Sequence, residues 1–188
     1  ASACAVLAGG AGARLGGDKH LRDLAGRPLG AYPLAAAEAA GLRPVLVAKV
    51  GTAIGPLLER RPETLVVREP ATPVHPLAGV LAALEELAEP IVVCPCDTPH
   101  ISAELLTRLA ESPATVVATG EGIEPLIGRW EPLAVGPLRA AVEAGTSARA
   151  LAAELGMARL DADPALVANV NTEADLALSA EILRRPRS

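Results

Sequence analysis

The chain is nearly free of aromatic residues. Phe is absent, and Trp130 and Tyr32 are the single tryptophan and the single tyrosine among 188 residues. Without companions, these rings cannot form the stacking platform on which single-stranded nucleic acid binds. An excess of positive charge is absent as well: the formal net charge is −5, whereas nucleic acid binding requires a basic surface. We therefore expect no nucleic acid partner.

Long apolar runs are missing, and cysteines are few. No run approaches the roughly 20 residues that a membrane-spanning helix needs, so we expect no membrane association. The three cysteines, Cys4, Cys94 and Cys96, cannot all pair, and Cys94-Pro-Cys96 is too tight for the usual zinc spacing. The start of the chain does not resemble a secretion signal. These features predict buried, reduced cysteines and a cytoplasmic location.

Short apolar runs alternate with segments of helical spacing along the whole chain. The runs predict strands at 3–8, 44–49, 64–68, 90–95 and 114–118, with weaker ones near 125–129, 158–162 and 166–170. The intervening segments predict helices at 29–41, 77–88, 102–111, 136–144, 147–155 and 172–184. The strands are continuously apolar, as is typical of parallel strands that are covered on both faces. The pattern predicts an α/β fold of Rossmann-like type, with a mostly parallel sheet between two helical layers, as one domain over residues 1–188.

A glycine-rich loop follows the first predicted strand. Five glycines lie between positions 9 and 17, together with Arg14, and the loop runs into Asp18 and Lys19. Backbone N–H groups of such a loop can approach a phosphate closely, and the two cations add positive charge there. The loop therefore predicts a bound nucleotide.

Two common nucleotide-binding loops do not match. A P-loop needs Gly-Lys-Ser/Thr, but Asp18 separates the glycine from the lysine and His20 replaces the hydroxyl residue. A dinucleotide loop needs a third glycine where the chain has Leu15, and an acid at the end of the second strand, where the chain has Lys49. Both types are excluded.

The remaining pattern, Leu-Ala-Gly-Gly-x-x-x-Arg-Leu-Gly-x-Asp-Lys, resembles the signature of the nucleoside-triphosphate transferase family. Segments 76–79, 94–99 and 169–172 resemble, in order and spacing, the molybdenum cofactor guanylyltransferases of that family. The resemblance runs from Leu7 to Leu176. It implies the three-layer nucleotidyltransferase fold and an enzyme that transfers GMP from GTP to molybdopterin, with release of pyrophosphate.

The resemblance also implies a role for each matched residue. The glycine loop and the strand ends bind the nucleotide in the family, which here implies Leu7, Ala8, Gly9, Gly10, Lys19, Glu69 and Asp97. Catalytic roles are implied for Arg14, Lys19 and Asp97, with the two cations neutralising phosphate charge. Asp97, at the mouth of a buried strand, is implied as the ligand of Mg²⁺, the expected cofactor.

Asn169 and Asn171 are implied as acceptor-binding residues. We expect their side chains to face different ways, one reaching the acceptor or the metal and the other bracing the turn into the last helix. The activity also suggests molybdoenzyme maturation proteins as partners.

Segment 68–75 departs from the family pattern, which has an acid shortly before Gly-Pro-Leu-Ala-Gly to recognise guanine. Ungapped alignment places Arg68 against that acid, a one-residue shift places Glu69 there, and His75 stands in place of the first glycine. We expect His75 to serve the structure of the loop. The base therefore stays open between guanine and cytosine, and another phosphorylated acceptor is a further alternative. A catalytically inactive nucleotide or cofactor carrier is the non-enzyme alternative, which the presence of Lys19 and Asp97 disfavours.

Overall fold

A twisted sheet with helices on both faces forms the protein. The computed structural model describes residues 1–9 and 18–184. The strands in these residues are β1 (Ala3–Leu7), β2 (Asp23–Leu24), β3 (Arg27–Pro28), β4 (Arg43–Lys49), β5 (Leu65–Glu69), β6 (Ile91–Pro95), β7 (Thr115–Thr119), β8 (Gly122–Trp130) and β9 (Ala158–Asp161). The helices are α1 (Ala31–Ala39), α2 (Gly55–Leu58), α3 (Ala78–Leu87), α4 (Ala103–Glu111), α5 (Val135–Ala144), α6 (Ala148–Glu154), α7 (Pro164–Val167) and α8 (Glu173–Arg184).

The main sheet has seven strands in the order β5-β4-β1-β6-β8-β7-β9. All neighbouring strands are parallel except β8, which runs antiparallel to both β6 and β7. The strands β2 and β3 form a separate small hairpin. The predicted mostly parallel sheet is confirmed, and the first four strands in the order all end at the same edge.

Both faces of the sheet are covered, which explains the continuously apolar strands. In β1, Cys4 and Val6 pack on the face covered by α1, α2 and α4. Ala3 and Ala5 point to the opposite face, where α3, α5 and α6 pack. Side chains of a strand alternate between the two faces, so a strand buried on both sides must be apolar at every position. The predicted three-layer arrangement is therefore confirmed.

Side chains cap the first turns of two of the predicted helices. Ser102 Oγ accepts a hydrogen bond from the Leu105 N–H at 3.1 Å, before α4. Before α8, Thr172 Oγ1 accepts from the Asp175 N–H at 3.1 Å, and Asp175 Oδ2 accepts from the Thr172 N–H at 2.8 Å. This reciprocal pair is a capping box with Asp in the place of Glu.

The predicted strand at 166–170 is wrong. Val167 ends the short helix α7, and no regular strand follows it. Asp163 Oδ1 accepts from the Ala165 N–H and Pro164 occupies the first helical position, so local capping favours a helical turn over an extended chain. Val167 and Val170 are apolar because they pack into the core from this irregular segment. Helix α2 and the β2–β3 hairpin are too short to show a periodic pattern, and the sequence did not predict them.

The cysteines are buried and free, as predicted. Cys4 Sγ and Cys94 Sγ lie 3.8 Å apart between neighbouring strands. Burial, with a smaller effect of the Asp97 carboxylate, raises the pKa of Cys96 to about 12. Within residues 1–9 and 18–184, no helix has the length and apolar character needed to cross a membrane.

Close packing between β7 and β8 generates a prediction about Gly128. A Cβ atom there would overlap with the Thr115 carbonyl oxygen and lie 3.2 Å from Val116 Cα, both of them backbone atoms. We expect Gly128→Ala to lower the free energy of unfolding by about 2–3 kcal/mol, measured by urea denaturation. Gly136→Ala is the matched control, because a Cβ on that α5 glycine meets nothing within 4 Å. It should be neutral or stabilising by up to about 1 kcal/mol. Equal stability of the two variants would contradict the prediction.

Candidate active site

A cavity of about 360 Å³ opens where the parallel strands end. The residues that line it come from the ends of four neighbouring strands and from four further segments of the chain: Leu7, Ala8, Gly9, Lys19, His20, Lys49, Glu69, Val74, His75, Pro76, Gly79, Pro95, Cys96, Asp97, Leu126, Asn169 and Asn171. The carboxyl edge of a parallel sheet is the usual ligand site of α/β proteins. The cavity therefore lies at the edge of the sheet where β1 leads into the glycine loop that predicted a bound nucleotide.

Three polar side chains meet at one end of this cavity. Lys19 Nζ donates a hydrogen bond to Asp97 Oδ2 and another, of 2.7 Å, to Asn171 Oδ1. The Lys19 and Asp97 side chains are only 12% and 17% exposed, so water screens their ion pair weakly. Asp97 is the second residue after the end of β6, and Lys19 opens the short 3₁₀ turn at residues 19–21. The structure thus brings together three site residues that the sequence named far apart.

The capping box of α8 holds Asn171 in place. Asp175 Oδ2 accepts from the Asn171 N–H at 2.9 Å, and this bond, with that of Thr172, lowers the pKa of the Asp175 carboxyl. The Val170 N–H donates to the Asp97 carbonyl at 2.9 Å, which ties the segment to the end of β6. These bonds fix the distance between Asn171 and Asp97.

The expectation that Asn169 and Asn171 face different ways is wrong, because both line the cavity. Residues two apart on an extended segment share a face. The bracing of the turn, expected of one asparagine, is done instead by Thr172 and Asp175.

The other carboxylate oxygen of Asp97, Oδ1, takes no part in the contact with Lys19. Asp97 Oδ1 is buried and, among residues 1–9 and 18–184, has no hydrogen bond partner. Leaving a buried acceptor unsatisfied is costly, and carboxylate and amide oxygens such as those of Asp97 and Asn171 suit a hard divalent cation. The described part of the chain contains no cluster of three His, Cys, Asp or Glu side chains able to hold a metal. A cation here would need most of its ligands from water and substrate, as Mg²⁺ commonly does.

The opposite end of the cavity carries Glu69 and Lys49, at the ends of the neighbouring strands β5 and β4. Glu69 is 4% exposed, and its Oε1 lies 3.8 Å from Lys49 Nζ. A Cβ on Gly9 would overlap with Glu69 Oε1, and one on Gly79 would lie 2.8 Å from Oε2. Burial raises the pKa of the Glu69 carboxyl, and Lys49 acts in the opposite direction. A side chain at either glycine would therefore displace the Glu69 carboxylate from its present position.

Alternation along β5 decides which residue of segment 68–75 faces the cavity. Arg68 is exposed, and its Nη1 donates to the carbonyls of Lys49 and Thr52 at 3.0 and 3.1 Å. Glu69 points the other way, into the cavity. The one-residue shift considered from the sequence is thus the alignment that places an acid in the site.

His75 has the structural role that the sequence predicted. Its Nδ1 accepts from the Leu77 N–H at 3.1 Å, so Nε2 carries the proton and donates to the Thr146 carbonyl at 3.0 Å. Both ring nitrogens are used, and the imidazole connects the loop before α3 to the loop before α6.

A second groove, of about 190 Å³, continues from the cavity and shares Pro95, Leu126 and Asn169 with it. Arg149 and Glu124 also line this groove, with 3.6 Å between the guanidinium Nη2 and the carboxylate Oε1. The sequence did not single out Arg149. The only available signal was its place in the first turn of a helix capped by Ser147.

The chain matches the model of the MobA-like NTP transferase domain over residues 4–162. It belongs to this family. A molybdenum cofactor guanylyltransferase of Cereibacter sphaeroides is 35% identical over 191 residues, which cover 96% of each chain.

Solved structures share the fold of this MobA-like NTP transferase domain. The molybdopterin-guanine dinucleotide biosynthesis protein A of Archaeoglobus fulgidus superposes with a TM-score of 0.76 at 24% identity, covering 96% of this chain and 97% of that one. The 2-C-methyl-D-erythritol 4-phosphate cytidylyltransferase of Thermus thermophilus superposes with a TM-score of 0.68 at 20% identity, covering 97% and 98%. At these identities the likeness concerns the fold alone, and a cytidylyltransferase shares it.

The predicted site residues of the NTP transferase domain divide into two groups. Most of them line the one cavity: Leu7, Ala8, Gly9, Lys19, Glu69, Asp97, Asn169 and Asn171. Gly10 and Arg14 lie outside the described residues, so their roles stay predictions. Lys49 is the cavity residue that sequence reasoning named only as the non-acidic end of a strand.

The buried Glu69 generates a prediction about the pH dependence of stability. Because burial raises its pKa above the ordinary value of 4.5, the folded chain holds a proton that the unfolded chain has released at the same pH. The free energy of unfolding therefore falls as pH rises from about 4.5 through the raised pKa. We expect the free energy of unfolding of Glu69→Gln to rise relative to that of the wild type over this pH range. Above the raised pKa, the difference between the two should stay constant.

The measurement is urea denaturation at pH steps from 4 to 8. The slopes of the free energy of unfolding against pH are compared, not its absolute values. Glu63→Gln, which replaces an exposed carboxyl before β5, is the control, and its free energy of unfolding should change with pH as that of the wild type does. A constant difference between Glu69→Gln and the wild type at every pH would contradict the prediction.

Proposed function

We propose that this chain, acting as one nucleotidyltransferase domain, transfers GMP from GTP to molybdopterin and releases pyrophosphate. The observation that carries the proposal is the joining of Lys19, Asp97 and Asn171 at one end of a cavity whose other end holds a buried acid, Glu69. The Cereibacter sphaeroides relative named as a guanylyltransferase, which matches 96% of the chain, supports the same activity.

The strand order sets the direction of the bound nucleotide. Glu69 ends β5 and Asp97 follows β6, with β4 and β1 between them. Three strand spacings amount to about 14 Å, which suits a nucleoside and its first phosphate. The guanine base lies at Glu69, whose carboxylate accepts from ring and amino N–H groups. Leu7, Ala8 and Gly9, at the end of the central strand, lie along the nucleoside.

Phosphate chemistry takes place at the Lys19 end. An acceptor phosphate oxygen attacks the α-phosphorus of GTP, an O–P bond forms, and the bond to the β-phosphate oxygen breaks to release pyrophosphate. The attacking oxygen is already ionised at neutral pH, so the step requires no general base. The Lys19 ammonium offsets repulsion between the two anions. We assign Arg14, in the glycine loop, to the β- and γ-phosphates.

Asp97 is assigned as the Mg²⁺ ligand. Its buried Oδ1, without a hydrogen bond partner among the described residues, supports this assignment, as does the nearby Asn171 amide oxygen. When bound, Mg²⁺ supplies positive charge that stabilises the phosphates in the transition state. The role of Asp97 itself is to hold that charge at the end of β6.

The acceptor is assigned to the side of the cavity formed by Asn169 and Asn171. Asn169 lies where the cavity joins the second groove, and Arg149 offers a cation there for an anionic acceptor. The groove is open, since the Arg149 side chain is 61% exposed. This position allows the acceptor phosphate to approach Asp97 from the side opposite the base.

The alternatives are less well supported. Likeness to a cytidylyltransferase concerns the fold alone. Cytosine also presents two acceptors, N3 and O2, beside its amino group, and a carboxylate such as Glu69 cannot donate a hydrogen bond to either. An inactive carrier would have little use for the buried Lys19–Asp97 pair, and a relative that matches 96% of the chain is named as a transferase.

Removal of the Asp97 charge tests the chemistry. With GTP, Mg²⁺ and molybdopterin, we expect Asp97→Asn to lower the rate of pyrophosphate release by about 10²–10³-fold, because the charge that holds the metal is lost. Asp161→Asn, at the exposed end of β9, is the matched control and should retain the wild-type rate. Full turnover by Asp97→Asn would contradict the role of Asp97. A wild type that binds molybdopterin without releasing pyrophosphate would favour the carrier.

A thermal-shift panel of GTP, CTP, ATP and UTP tests the base. Only a ligand that binds the folded state stabilises it, by about 2.7 kcal/mol at 100 times its Kd, so GTP should raise the melting temperature most. Lys19→Met should weaken stabilisation by all four nucleotides alike, because Lys19 lies at the phosphates. A larger shift with CTP than with GTP would overturn the guanylyl assignment.

A further inference from the structure

The chain has two lysines, Lys19 and Lys49, against fifteen arginines. Both lysines line the same cavity. Lys19 has acceptors in Asp97 and Asn171. Lys49 has a different environment: its Nζ is buried and, within the part of the chain that the structure describes, donates no hydrogen bond. The function proposed above assigns Lys49 no role.

Lys49 and Glu69 form an ion pair but no hydrogen bond. They are directly opposite each other in the register of β4 and β5, and the 3.8 Å between Nζ and Oε1 is longer than a hydrogen bond. A buried ammonium without an acceptor is costly. The pair therefore presents a donor beside an acceptor on the cavity wall, which suits a ligand edge with the complementary acceptor and donor.

The position of the pair excludes the phosphate end. Strand β1 lies between β4, which ends at Lys49, and β6, which leads to Asp97. Two strand spacings separate them by about 10 Å. Lys49 therefore lies at the end of the cavity assigned to the base.

We propose that Lys49 is a specificity-determining residue that donates a hydrogen bond to O6 of guanine, while Glu69 accepts from the N1–H and the 2-amino group. The inference rests on the proposed placement of GTP in the cavity. It makes two side chains, rather than Glu69 alone, the recognition element for the base.

Each competing base is mismatched with one member of the pair. Adenine and cytosine present an amino donor where guanine presents O6, so they place a donor against the Lys49 ammonium. Uracil presents O4 and N3–H, which match Lys49 and one oxygen of Glu69, but it has no second donor. Lys49 thus rejects adenine and cytosine, and the second oxygen of Glu69 rejects uracil.

Guanine analogues separate the two contacts. In 6-thio-GTP, sulfur replaces O6 and accepts hydrogen bonds poorly, while N1–H and the 2-amino group remain. ITP keeps O6 and N1–H but lacks the 2-amino group. Calorimetric Kd values with Mg²⁺ should show each analogue binding the wild type about 10-fold or more weakly than GTP, since a hydrogen bond to a charged group is removed.

Each variant should abolish the loss of affinity, or penalty, that one of the two analogues shows relative to GTP. Lys49→Met should bind GTP as weakly as 6-thio-GTP, so the difference in Kd between these two nucleotides disappears. The difference in Kd between GTP and ITP should remain. In Glu69→Gln, the ITP penalty should shrink and the 6-thio-GTP penalty persist. Arg43→Met removes a half-exposed cation at the opposite end of the same strand and should keep both penalties at their wild-type size.

Three results would overturn the inference. Equal weakening of GTP, 6-thio-GTP and ITP by Lys49→Met would place Lys49 at the phosphates or in a purely structural role. A wild type that binds 6-thio-GTP as tightly as GTP, a result that needs no variant, would exclude the contact to O6. Tighter binding of CTP than GTP by the wild type would reject the guanylyl function as well. If the wild type prefers GTP but gives either of the first two results, only the role of Lys49 is rejected and the proposed function stands.

Discussion

The parallel arrangement of β5, β4, β1 and β6 places four strand ends at one edge of the sheet, and the site depends on this constraint. Glu69, Lys49, Leu7 and Asp97 lie at or just beyond those ends in the order in which the strands pair. The central strands β4, β1 and β6 pack against helices on both faces, so a slip of their register would disrupt close packing with both helical layers. The spacing between the two ends of the cavity is therefore set by hydrogen bonding within the sheet and by burial of the core.

Each end of the cavity holds one cation and one carboxylate, but the two pairs differ. Lys19 and Asp97 are in direct contact, and Asn171 supplies a further acceptor to the lysine. Lys49 and Glu69 lie 3.8 Å apart, with Gly9 and Gly79 leaving the space that the carboxylate occupies. A close pair suits a place where charge must be neutralised during reaction. A separated pair suits recognition of a neutral ring with adjacent donors and acceptors.

The last part of the chain completes the site without adding a strand to it. Asp175 caps α8 and at the same time holds the backbone of Asn171, so one carboxylate links the start of a helix to the active site. The Val170 N–H ties the same segment to the end of β6. This explains why a segment predicted as a strand at 166–170 is irregular: its backbone hydrogen bonds go to Asp97 and Asp175 instead of to a neighbouring strand.

Local patterns in the sequence determined the strands of the sheet, the longer helices and the caps at Ser102 and Thr172, because apolar periodicity and capping act over a few residues. The glycine loop pointed to Lys19 and the apolar run before residue 97 pointed to Asp97, whereas the two asparagines were implied by the family resemblance. Only the tertiary structure decided that Glu69, and not Arg68, faces the cavity, that both asparagines do so, and that Lys49 lies beside Glu69. These facts depend on strand register and on contacts between residues far apart in the chain, and no local pattern carries that information.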